Sequence, residues 1–206
     1  MSFLALLAVL IFSISPSFSE NAKDDREEEQ ETSTDLRRAE ISFSFPINVT
    51  SAHKITLMAS PGKGYRCLQS HEEILNHDTP LLEYVPQSDT DDYAWSEIFT
   101  MSKIIGQGVK AEDFHAKVSE GLVANTTHAK LLEKKVTQHE GYTESVISFS
   151  YELNGRKEVV LMHCYAGPMD LVNVQHAVLK KDKETDAEAL KRTKDFLSSH
   201  TKLIQG

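Results

Sequence analysis

The chain has 206 residues, 40% of them hydrophobic and 26% charged, with a formal net charge of −9. That length suits one principal domain, and the acidic balance argues against a nucleic-acid partner, whose phosphates select a basic face. No apolar run beyond the N-terminus approaches the ~20 residues a bilayer-spanning helix needs, so the mature chain is expected to carry no transmembrane span.

Residues 1–19 read as a signal peptide. Residues 3–14 are an almost unbroken apolar run that stops at Ser15-Pro16, and Ser17-Phe18-Ser19 supplies the small-x-small pattern a signal peptidase requires. The mature protein is expected to begin near Glu20, in a secreted or periplasmic location. The stretch before the run has no Lys or Arg, only the terminal amine, and a buried N-terminal helix is the alternative. Residues 20–40 hold nine carboxylates against four basic residues, with Leu36 the only large apolar side chain. Such a segment buries too little surface to offset its chain entropy, which predicts a disordered acidic leader. Residues 41–206 remain as a single domain, only mildly acidic and large enough to bury a core without extra staples.

Runs rich in β-branched and aromatic residues predict strands over 41–45, 55–58, 65–69, 81–85 and 95–105, with turn signals at Pro61-Gly62 and residues 88–92. Cys67 falls in the third run, 97 positions before Cys164. In an oxidising compartment a Cys67–Cys164 disulfide is the natural reading, and closing so long a loop would contribute on the order of 4 kcal/mol. Two buried free thiols are the alternative, because spacing alone does not bring two β-carbons together. His71-Glu72 is not followed by a histidine at i+4, and His71 and His77 would stand about 240 degrees apart on a helix. Asp89, Asp91 and Asp92 suggest calcium, but Tyr93, Ala94 and Thr100 stand where the loop needs an oxygen ligand, glycine and glutamate. No metal site is expected. Tyr93 and Trp95 are candidate contact residues, since aromatics dominate binding hot spots, although a lone Trp entering a strand is usually core.

The run Leu82-Glu83-Tyr84-Val85-Pro86, followed after a polar turn by Trp95-Ser96-Glu97-Ile98-Phe99-Thr100, is similar to a pattern in small exported proteins of Gram-negative bacteria. Those domains resemble the Mog1/PsbP-like α/β/α fold, as does this order of strands, mid-chain helix, meander and final helix. The motif spans about twenty residues and the rest of the likeness is element order. The resemblance implies a binding or assembly factor with no shared catalytic set to carry over; fold analogy is a weak warrant for function.

Gly106-Gln107-Gly108-Val109-Lys110-Ala111 fits G-x-G-x-x-A between a strand and a helix. A dinucleotide loop follows a fully buried parallel strand, whereas Thr100, Ser102 and Lys103 make this one half polar, so no cofactor is expected. Phe114, Val118 and Leu122 recur at every fourth position and predict a helix over 111–124. A weaker strand covers 130–138. Asn154-Gly155 between two β-rich segments predicts a two-residue hairpin that pairs Leu153 with Arg156, Phe149 with Val160, Ile147 with Met162 and Ser145 with Cys164. The strand over 159–165 is apolar on both faces and should be central, and residues 171–179 return as a third antiparallel strand. A last helix is expected over 186–203, opened by a capping box in Thr185 and Glu188, with Leu190, Thr193, Leu197 and Ile204 at helical spacing.

The sum is an α+β domain: an antiparallel sheet with a C-terminal meander, packed against a mid-chain helix and a C-terminal helix. No nucleophile elbow, phosphate loop or close carboxylate pair appears, so the leading expectation is an exported binding domain with a protein or small-molecule partner. The rival is an exported hydrolase or thiol enzyme. Cys164 would be its nucleophile, and because the adjacent His163 points to the opposite face, a histidine such as His176 would have to reach over.

Overall fold

The computed structural model describes residues 43–48, 54–68, 81–90, 94–105 and 108–205. The expected signal peptide and leader, the histidines at 71 and 77, and Tyr93 lie outside them. The elements in chain order are β1 (Phe43–Asn48), β2 (Lys54–Ala59), β3 (Tyr65–Cys67), β4 (Leu81–Pro86), β5 (Glu97–Ile105), α1 (Ala111–Asn125), β6 (Thr127–His139), β7 (Tyr142–Leu153), β8 (Arg156–Ala166), β9 (Asp170–Leu179), α2 (Asp186–His200) and β10 (Thr201–Gln205). Seven strands make one antiparallel sheet in the order β3-β4-β5-β9-β8-β7-β6, and β1-β2-β10 make a second. The class is α+β.

The meander forms in the register its turn chemistry dictates. Asn154 and Gly155 adopt φ of 53° and 77°, the pair of positive values that a tight hairpin matching strand twist requires. Leu153 then faces Arg156, Phe149 faces Val160, Ile147 faces Met162 and Ser145 faces Cys164. β8 and β9 are buried almost throughout, as central strands with no solvated face. β6 is an outer strand, mostly exposed, with register irregularities between Thr127 and Lys130 and between Leu131 and Glu133.

Strand alternation sorts the interior into two cores. On one face Ile147, Phe149, Tyr151, Val160 and Met162 meet Phe114, Val118 and Leu122 of α1. On the other, Phe99, Met101, Leu161, Tyr165 and Val174 meet Leu197 of α2 together with Ile47, Ile55 and Leu57 of the small sheet. α2 starts as expected, with the Thr185 hydroxyl accepting from the Glu188 amide and the Glu188 carboxylate accepting from the Thr185 amide. It ends earlier than expected. Residues 201–205 leave the helix as β10, which pairs Leu203 with Leu57 and Ile204 with Thr56, so the helical spacing of Ile204 is coincidental. A helix there would leave one edge of β2 unpaired; β10 satisfies that edge and β1 the other.

The expected disulfide is not formed: Cys67 and Cys164 are both buried and unbridged. Cys67 belongs to the α2-side core and Cys164 to the α1-side core. β3 and β8 are also four strand spacings apart in the sheet, about 19 Å at ~4.8 Å per strand and far beyond the ~4–7 Å that a disulfide's α-carbons allow. Alkylation of the unfolded, unreduced protein is therefore expected to add two groups by intact mass, while the native protein reacts slowly at both thiols. A mass that accepts alkylation only after reduction would contradict this arrangement.

Candidate binding site

The side chains with covalent chemistry lie deep in the sheet. Cys164 faces Ser145 on β7 and Asn173 on β9 in one row on the α1 side, and all three have zero exposure. Burial pushes the Cys164 thiol well above its usual range, with the charge of Glu112 adding to the shift, so it stays protonated. His176 pairs with Leu161 and Phe99 on the opposite, α2 side. There its ring stacks on Phe196 at 3.9 Å, and its Nε2 lies 3.4 Å from Glu97, which also accepts the Tyr65 hydroxyl proton. The sheet thus stands between Cys164 and His176, and they form no thiol–imidazole pair. Trp95 is 3% exposed beneath the Arg156 guanidinium, whose centre sits 4.7 Å over its ring, which is packing and not an open contact.

A second pairing draws the eye on the α1 side, where His115 Nδ1 stands 2.8 Å from Ser145 Oγ. Both residues have zero exposure, and His115 Nε2 has no partner, so no carboxylate orients the ring. Burial, helped by the charges of Lys134 and His163, lowers the His115 pKa to about 4 and keeps the imidazole neutral. This serine–histidine contact, walled off from solvent, links α1 to the sheet.

The accessible titratable cluster is elsewhere. Gly141, with φ 85°, turns β6 into β7 and sets His139 opposite Tyr142. Two residues on, Glu144 lies diagonal to His163 across the β7–β8 pair. The Glu144 carboxylate takes His139 Nε2 at 2.8 Å and His163 Nε2 at 2.5 Å. An ionised carboxylate only accepts, so both Nε2 atoms carry the proton. His163 Nδ1 is then the acceptor for the Tyr165 hydroxyl at 3.2 Å. His139 stacks on Tyr142 and His163 on Tyr165, each at 4.5 Å. Burial opposes charge on Glu144, but the bonds from His139 and His163 outweigh it and hold its carboxyl below the ordinary range. Burial also lowers the His163 pKa, with Glu144 pulling the other way.

This cluster borders a groove of about 580 Å³ between the start of α1, the β6–β7 turn and the β8–β9 turn. Lys110, Glu112, Gln138, His139, Tyr142 and Thr143 line it together with backbone of the two turns. Lys110 is the N-cap of α1 and makes no side-chain cap. Gly108, at φ 54°, lies where a Cβ would come 3.4 Å from the Pro168 carbonyl oxygen, so a side chain there would both strain the backbone and narrow the mouth. The walls offer hydrogen bonds, two charges and stacked rings. Among the described residues no group of three His, Cys, Asp or Glu side chains is placed to hold a metal ion. Sequence reasoning passed over this cluster, although the hairpin register that pairs Ser145 with Cys164 already puts Glu144 and His163 on one face, diagonal to each other.

No family model matches the chain, and neither does any curated protein. Among solved structures, the chain is similar to cyanobacterial PsbP (CyanoP) from Synechocystis, at 8% identity and a TM-score of 0.48, covering 72% of this chain and 86% of that one. It is also similar to LpqN of Mycobacterium tuberculosis, a protein involved in cell envelope biogenesis, at 16% identity and a TM-score of 0.44, covering 82% and 95%. The faint PsbP-like resemblance read from the sequence recurs in these structures and concerns the fold alone. No helix among the described residues is long and apolar enough to cross a membrane.

Proposed function

We propose that this chain is an exported, extracytoplasmic domain that works by binding, and that its partner occupies the groove beside His139 and Tyr142. One contrast carries the reading. Cys164, Ser145 and His115, the groups suited to covalent chemistry, have zero exposure, whereas imidazole, phenol, amide and ammonium groups suited to recognition stand at the open groove. Export is supported by the apolar run over residues 3–14 and the small-x-small pattern that follows it.

The test places a photo-crosslinking residue at Tyr142 in the full chain expressed in its own cells, with the same residue at Lys191 as control. A discrete adduct from position 142 and not from 191, on protein whose mass begins near Glu20, is the expected result. Protein retained in the cytoplasm at full length would overturn export, and equal labelling at both positions would overturn the groove. A Cys164→Ala chain that gives the same adduct would further set the thiol-enzyme reading aside.

A further inference from the structure

The groove ends where β6 ends, and β6 is the outer strand of the seven-stranded sheet. The two halves of that strand differ. Its first half carries both register irregularities, the usual way a sheet spoils an edge against unwanted pairing. From Glu133 onward it pairs without interruption, Glu133 with Ser148 through to His139 with Tyr142. Seven residues of regular extended backbone therefore present an outer edge with no strand beside it among the described residues.

The side chains on that edge have a definite character. Lys134 and Val136 lie on the α1 face, Glu133 and Lys135 on the α2 face. Glu133 is engaged by Lys194 at 2.5 Å, while Lys134 and Lys135 are exposed and make no ion pair among the described residues. Val136 is 37% exposed and Leu131, on the same strand, 50%. The edge thus offers free ammonium groups on both faces and apolar surface on one. A second copy of β6 paired in parallel register would set lysines against lysines, which disfavours that mode of self-pairing.

We propose that residues 133–139 of β6 receive an added strand from a partner protein, an extended segment that alternates acidic and apolar residues, and that this strand leads into the groove at Gln138 and His139. Main-chain bonds to that edge supply affinity, the carboxylates line the α2 face and meet Lys135, and the apolar positions line the α1 face, where they cover Val136 and the aliphatic stem of Lys134. The same lysines that repel basic strands select an acidic one. The proposal rests on the groove as the binding site.

The probe is a capped seven-residue peptide of alternating Glu and Val, added to the full-length exported protein, with amide hydrogen exchange at residues 133–139 as the readout. The outward-facing amides are expected to slow by at least about tenfold at saturation, with an affinity that falls as salt rises. A peptide of alternating Lys and Val should give no protection. In a Lys134→Glu/Lys135→Glu protein the preference should reverse, which excludes a mere folding defect as the cause of lost binding. Unchanged exchange with the acidic peptide, or a preference that does not reverse, would overturn strand addition. Crosslinks at position 142 with no protection on β6 would leave the groove standing without the strand; protection on β6 with no specific crosslink would remove the groove and keep the edge.

Discussion

Arg156→Ala is expected to lower the free energy of unfolding by about 3 kcal/mol, the range seen when one partner of a buried ion pair is removed. Arg156 enters β8 from the hairpin turn, and three contacts converge on its guanidinium. Its Nε lies 3.6 Å from Glu158 Oε1, its Nη2 donates to the Trp95 carbonyl, and its plane covers the Trp95 ring. Glu158 is 2% exposed, and burial already drives its carboxyl pKa upward against the pull of Tyr151 and Arg156. Removing the cation strands that carboxylate and unpins the segment that carries Trp95 into β5. Urea transitions should show a lower midpoint with an unchanged slope. Adding Glu158→Gln should recover part of the loss, and Arg156→Lys should retain the charge but not the flat stacking. A change of less than about 1 kcal/mol would mean the pair is no more than a surface contact.

Falling pH should destabilise the fold before the hydrogen-bonded carboxylates with lowered pKa values are neutralised. The His115 pKa falls from 6.5 to about 4 on folding, so between those values the unfolded chain binds a proton that the native chain does not. Stability from this group is full above pH 6.5 and declines as pH drops toward 4, a loss of about 3 kcal/mol by the linkage relation. Burial lowers the His163 and His176 pKa values as well, and both add in the same direction. Glu97, Glu144, Glu184 and Asp186 have lowered carboxyl pKa values, so their contributions are lost in a separate, more acidic window. His115→Gln keeps a bond to Ser145 without the titration. Its stability curve between pH 6.5 and 4 should be flatter than the parent's by most of that amount, and an equally steep curve would assign the acid sensitivity to another group.

The parts of the fold legible in the sequence are those fixed by local rules. Asn154-Gly155 sets the hairpin register to the residue, Thr185 and Glu188 mark the start of α2, and the fourfold spacing of Phe114, Val118 and Leu122 marks α1. What was hidden depends on partners distant in the chain. β10 looked like the tail of a helix because its value lies in pairing with β2, about 145 residues earlier. The two cysteines looked like a bridge because strand order and facing, which separate them, are not written in their spacing. At the candidate site, Trp95 was legible as an aromatic but not as one already occupied by Arg156. The His139–Glu144–His163 cluster depends on two hairpin registers applied together, and only the Asn154-Gly155 turn is written plainly in the sequence.

The small sheet joins β1 and β2, from residues 43–59, to β10 at residues 201–205. Its middle strand is therefore flanked on one side by a strand about 145 residues further along the chain. During synthesis the α2-side core, which Ile47, Ile55 and Leu57 help to close, has no finished lid until that strand emerges. Closing that core therefore depends on a pairing of large sequence separation, the kind of contact whose loop-closure cost slows folding.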